Sequence, residues 1–153
     1  MAFRHKVKIT VRSVIEDLDA RGLVSGEREE NEEKSIGELS SVEGGGYLIT
    51  YSTVAEGIRT QTRLTVTDTE RVRLTRDGGV VSEMEFCLKE DYKTVYSVPP
   101  YSFDMTISTK RLEVDLSELG GSIRLNYEMN IGGQSRVVRM TVKAERGATA
   151  NGA

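Results

Sequence analysis

The feature that most constrains this chain is an alternation of period two. Val7, Ile9, Val11 and Ile15 are interleaved with Lys6, Lys8, Thr10 and Arg12. Ile123, Leu125, Tyr127, Met129 and Ile131 share one parity, while Arg124, Asn126, Glu128 and Asn130 share the other. Val138, Met140, Val142 and Ala144 repeat the pattern against Arg139, Thr141 and Lys143. Successive side chains of a strand point to opposite faces, so each run reads as a half-buried β-strand. Gly132-Gly133 separates the last two runs, and paired glycines supply the positive φ angles of a two-residue hairpin.

Shorter strands fill the middle. Tyr47, Ile49 and Tyr51 share a parity; Leu64 and Val66 lead to Val72 and Leu74 across the polar turn Asp68-Thr69-Glu70. Asp77-Gly78-Gly79 is a second hairpin signal, and Tyr92 to Val98 ends at Pro99-Pro100. Phe103, Met105 and Ile107 have the opposite parity to Leu112, Val114 and Leu116, which places a bulge between Ser108 and Arg111. The best helical window, Val14 to Val24, has poor apolar spacing and is interrupted by Gly22. Glu27 to Lys34 (EREENEEK) has no apolar face; it reads as a charged loop or, in preference, as an edge strand whose charges block pairing with another molecule.

About ten strands joined by short turns form a meander, and closing such a sheet removes its exposed edges. The expected fold is therefore all-β, a single antiparallel barrel of 8–10 strands over residues 1–144, with a disordered polar tail at 145–153 (ERGATANGA). A barrel of this size either fills with side chains or holds one small ligand, and the sequence does not choose between the two.

Three segments carry a family resemblance: Val11-Arg12-Ser13-Val14-Ile15-Glu16-Asp17, Pro100-Tyr101 followed by Thr106-Ile107-Ser108-Thr109-Lys110, and Gly121-Ser122-Ile123 with Tyr127-Glu128-Met129. Together they resemble the YwiB-like family of uncharacterised bacterial β-barrels over roughly residues 6 to 144. The chain departs from the family pattern in its Glu-rich 27–34 segment and in a longer Leu18 to Gly26 connection. The resemblance implies a calycin-like, lipocalin-type barrel in the cytoplasm, and it implies no catalytic residue.

Composition narrows the chemistry. One His and one Cys leave little for nucleophilic or zinc chemistry. His5 sits between Arg4 and Lys6 and reads as a solvated terminal side chain; Cys87, between Phe86 and Leu88, reads as a small buried thiol. Glu83 with Glu85, and Glu113 with Asp115, share strand faces and would do acid–base work only if buried together. Phosphate-loop spacings and calcium-loop spacings are absent, so no cofactor and no metal are expected. A lone Cys and the charged residues 1–10, without an apolar signal core, point to the cytoplasm and to no membrane span.

Two constellations remain. Arg63, Arg71, Arg73 and Arg76 gather in neighbouring strands as a candidate basic patch, but the formal net charge of -3 argues against general affinity for nucleic acid. Tyr47, Tyr51 and Tyr127 lie on apolar strand faces and, with Thr106 or Ser108, are candidate lumen groups for a small apolar or aromatic ligand. The expectation is a non-enzymatic small-ligand-binding barrel with an aromatic-lined lumen. Its rivals are a filled barrel that contacts a protein partner through its outer surface and, more remotely, a nucleic-acid-associated barrel.

Overall fold

The alternating runs become strands in the computed structural model, which describes residues 2–68 and 70–146. In chain order they are β1 (Arg4–Leu18), β2 (Val24–Ser41), β3 (Tyr47–Ala55), β4 (Ile58–Asp68), β5 (Arg71–Gly78), β6 (Val81–Cys87), β7 (Tyr92–Val98), β8 (Tyr101–Ser117), β9 (Gly120–Ile131) and β10 (Gln134–Arg146). Each pairs antiparallel with the next, and β1 also pairs with β10, so the meander closes into a ten-stranded barrel. Among the described residues there is no helix, hence none long and apolar enough to cross a membrane.

Local sequence explains the joints. Gly132 and Gly133, at φ 58 and 90, connect Ile131 to its register partner Gln134 in a two-residue hairpin. β8 and β9 match Thr109 to Tyr127 and then Arg111 to Asn126, so Lys110 is bulged out and Leu112 returns to the inner face. The Val14 to Val24 window divides between β1 and a turn around Asp19, whose carboxylate accepts the Arg21 and Leu23 N–H groups at 2.9 and 3.0 Å. The Glu-rich segment is strand: it pairs with β1 from Glu29 to Lys34, after a register shift between Ser25 and Glu29, while β3 meets β2 only from Gly37 to Ser41. Residues 24–36 thus present a free edge toward β3, and their charges keep it from becoming a template for aggregation. β10 runs on to Glu145 and Arg146, opposite Lys8 and Val7, which corrects the expected tail boundary; residues 147–153 lie outside the described residues.

Inward parity builds one core. Ile9, Leu39, Ile49, Leu64, Val72, Phe86, Ile107, Ile123 and Leu125 are fully enclosed, each contributing about 1.5–3 kcal/mol by leaving water. They occupy the end of the barrel where β1, β3, β5 and β9 begin. The opposite end is built by the same strands and packed differently.

Candidate functional site

Along each strand the inward residues change character toward the second end. On β1, Val7, Ile9 and Val11 give way to Ser13, Ile15 and Asp17; on β5, Val72 and Leu74 give way to Arg76; on β10, Ala144 and Val142 give way to Met140, Val138 and Arg136. These residues leave an open-mouthed cavity of about 250 Å³ inside the barrel. Met105, Met129, Ile131, Val138 and Met140 form one wall from β8, β9 and β10. Arg76, Met84 and Tyr96 face them from β5, β6 and β7, with Tyr127, Ser13, Ile15 and Arg136 completing the lining. Met84, Met105, Met129 and Met140 are every methionine among the described residues. Long, unbranched thioether side chains adapt their rotamers to a guest more readily than Leu or Val. A second hollow of about 330 Å³ adjoins the mouth and shares Tyr96, Ile131 and Arg136.

A polar row crosses the barrel at this level. Tyr51, Thr62, Arg76, Ser82 and Tyr96 are successive register partners on β3 to β7. One step deeper the partners are Ile49, Leu64, Leu74 and Met84, all apolar and buried. The step needs room beside Tyr51. Its partner on β2 is Gly37, where a Cβ would collide with the Thr50 carbonyl oxygen.

The electrostatics of the row are specific. Burial pushes the Tyr127 hydroxyl up to about 12, with nearby Arg76 pulling the other way. Tyr51 is likewise raised, mainly by burial, again against the pull of Arg76. Both phenols are therefore neutral donors at ordinary pH. Arg136 is held by Asp17 at 3.0 Å. Arg76 forms no hydrogen bond or ion pair among the described residues. The buried hydroxyls of Ser82, beside Arg76, and Thr109, beside Tyr127, have no hydrogen-bond partner among the described residues. Orphaned buried polar atoms are rare enough in folded proteins to call for an explanation.

The expected lumen tyrosines separate. Tyr51 and Tyr127 face the interior, and the Tyr127 ring packs on Phe86 at 4.7 Å. Tyr47 shares their parity but stands at the far end against Phe3, lining an open surface hollow of about 690 Å³ formed with Ala2, Phe3 and residues 41–46. Thr106 and Ser108 lie on the outer face, because Met105, Ile107 and Thr109 take the inward parity of β8. The hydroxyl that β8 places inside is Thr109.

The expected arginine patch divides in the same way. Arg63 is exposed on the outside of β4. Arg71 and Arg73 are also outside, where Arg71 pairs with Glu85 and Arg73 bridges Glu83 and Glu85 at 3.1 and 3.2 Å. Tyr92 donates its hydroxyl to Glu83 at 2.8 Å and so ties β7 to β6, which otherwise pair only at Val81–Ser97 and Ser82–Tyr96. Arg71 holds the Glu85 carboxyl below its ordinary range. These carboxylates stitch the wall, and Glu113 pairs with Arg111 on the surface. Arg76 alone of the four arginines turns inward, since it shares the parity of Val72 and Leu74.

Sequence reasoning missed the methionine wall, Ser82 and Arg136. Parity had marked Met129 and Met140 as inward, but not that they would line open space. His5 bonds Glu118 at 2.9 Å at the closed end, and Cys87 is buried at the end of β6. Among the described residues no group of three or more His, Cys, Asp or Glu side chains is placed to hold a metal ion.

Comparison with known proteins bears on the fold. A crystal structure of the YwiB protein from Bacillus subtilis superposes with a TM-score of 0.81, covering 94% of this chain and 93% of that one at 24% sequence identity. At that identity the likeness establishes the shared barrel. No curated protein matches the sequence. Residues 18–142, which span β2 to β9 and most of β10, match the family described as Domain of unknown function (DUF1934), and the chain belongs to that family.

Proposed function

We propose that this barrel is a cytoplasmic, non-enzymatic binding protein for a small ligand with an apolar or aromatic body, held in the cavity at the open end. The observation that carries this reading is the change of inward residues along shared strands, from tightly packed aliphatics to a cavity walled by Met105, Met129, Met140 and Tyr127. Its volume of about 250 Å³ lies just under the ~300 Å³ at which ligand pockets usually begin, so the ligand is compact. The rim supports the same end as the entrance. Among the described residues, eight of the twelve large exposed apolar side chains (Leu23, Val24, Val54, Ile58, Val81, Val98, Tyr101 and Phe103) lie on the hairpins and strand ends around the mouth. Binding rather than turnover fits the lining, which pairs no nucleophile with a base.

Those rim residues also favour a rival reading, in which a protein partner docks across the mouth. One experiment separates the two. With methyl-13C-methionine labelling, 2-phenylethanol should shift the signals of Met84, Met105, Met129 and Met140 together and saturably. A native protein whose four methyl signals stay unmoved by this and other compact aromatics would sink the ligand reading and leave the rim as the functional surface.

A further inference from the structure

We infer that the ligand is an organic monoanion, a carboxylate carried on a compact apolar body, and that Arg76 is the residue that selects it. The inference rests on the lumen reading above and specifies its chemistry.

Charge accounting inside the mouth gives the sign. Two guanidinium groups line the cavity. Asp17 neutralises Arg136, whereas Arg76 has no partner among the described residues. Glu29 and Glu33 share the inward parity of β2 opposite Ile15 and Val11; both are exposed, Glu29 accepts from Asn31 at 3.1 Å, and Glu33 acts on the Tyr51 hydroxyl of the polar row, but neither forms an ion pair with Arg76. One unneutralised cation therefore projects from the polar row into a cavity whose opposite wall is apolar. A cation in such surroundings gains most from an anion with two coplanar acceptor oxygens, because the guanidinium fork donates to a carboxylate bidentately.

The neighbours of Arg76 complete the recognition. Ser82 is its register partner on β6, buried and without a hydrogen-bond partner. Tyr127, held neutral by burial, lines the same cavity. Its hydroxyl is a donor suited to the remaining lone pairs of a carboxylate, whereas Ser82 stands behind Arg76, outside the cavity lining. The apolar body then lies against Met105, Met129 and Met140. A dianion would exceed the single uncompensated charge, and a cation would meet Arg76 directly.

The test uses three molecules with one ring and different headgroups: phenylacetate, 2-phenylethanol and 2-phenylethylammonium. Each is titrated into the methyl-13C-methionine-labelled full chain and into Arg76→Met, with Arg76→Gln as the alternative if the first variant does not fold. Phenylacetate should bind about tenfold more tightly than the alcohol, a difference of about 1.4 kcal/mol, and the ammonium should bind most weakly. Removing Arg76 should erase the preference while the alcohol still shifts the four methionine signals. Equal affinity for acid and alcohol in the native protein, or a preference that survives loss of Arg76, would overturn the anion site and leave the lumen reading intact. If none of the three moves a methionine signal, the lumen reading itself falls, and the anion site with it.

Discussion

The two ends of this barrel are made by the same strands with the same in–out parity, yet the interior of one is filled with side chains and that of the other holds a cavity. At the closed end Val7, Ile9, Leu39, Leu64, Ile123 and Leu125 are at most 1% exposed. At the open end Ile15, Met129, Ile131 and Arg136 are only half-buried and line free volume. Branched aliphatic side chains have few rotamers and interlock to crystal-like density. Methionine and arginine carry more rotatable bonds and polar or polarisable ends, and they tolerate incomplete packing. The difference teaches that alternation specifies which residues point inward, while residue shape decides whether the inside is full.

The largest effect that tests this contrast lies in the solid half. Leu125→Ala should destabilise the barrel by about 2–5 kcal/mol in denaturant unfolding, since a rigid surround cannot collapse into the space left. A loss near zero would mean that this end is as loosely packed as the other.

The next concerns Tyr127, which sits at the boundary, its ring tilted against Phe86 and lining the cavity. Its hydroxyl is raised from the ordinary 10.0 to about 12. A group raised in the folded state contributes stability that is whole below the unfolded pKa and is lost as pH rises through the folded one. The barrel should therefore weaken between about pH 10 and 12. Two pKa units correspond to about 2–3 kcal/mol, and Tyr51, raised in the same direction, adds to the same limb. Comparing unfolding midpoints of native protein and Tyr127→Phe across this range checks the point: the variant should lose much of the alkaline limb, and an unchanged limb would show that Tyr127 is not enclosed.

The smallest effect belongs to the open wall. Met129→Leu preserves volume and should change stability by less than about 1.5 kcal/mol. Its branched side chain should nevertheless alter the affinity for 2-phenylethanol measured by the remaining methionine signals. A large destabilisation with unchanged affinity would place Met129 in the packed core and erase the distinction between the ends.

Much of this architecture was legible from residue order. The Gly132-Gly133 hairpin, the bulge before Leu112 and the Leu64–Leu74 pairing across a polar turn follow from parity and turn chemistry, and the charges of the Glu-rich segment suit the edge strand that it forms. The lumen was legible only in part. Tyr127, an aromatic ring on an apolar parity, lines the cavity and Tyr51 faces the interior outside that lining, whereas the register of β8 puts Thr109 on the inner face in place of Thr106 and Ser108. Arg76 groups with Arg63, Arg71 and Arg73 in the sequence because the four gather in neighbouring strands. Arg76 differs from them in parity, the property that separates the two faces of a strand.

Period and punctuation thus determined by themselves that the chain is an antiparallel meander and which face of each long strand is apolar, because both are local properties of the backbone and its immediate neighbours. Tertiary structure decided what the enclosed space contains. Whether Met105, Met129 and Met140 fill the centre or stand around a cavity, and whether Arg76 finds a counter-charge, depends on barrel radius and cross-strand register. Those quantities are set by ten strands closing together, and no single stretch of sequence carries them.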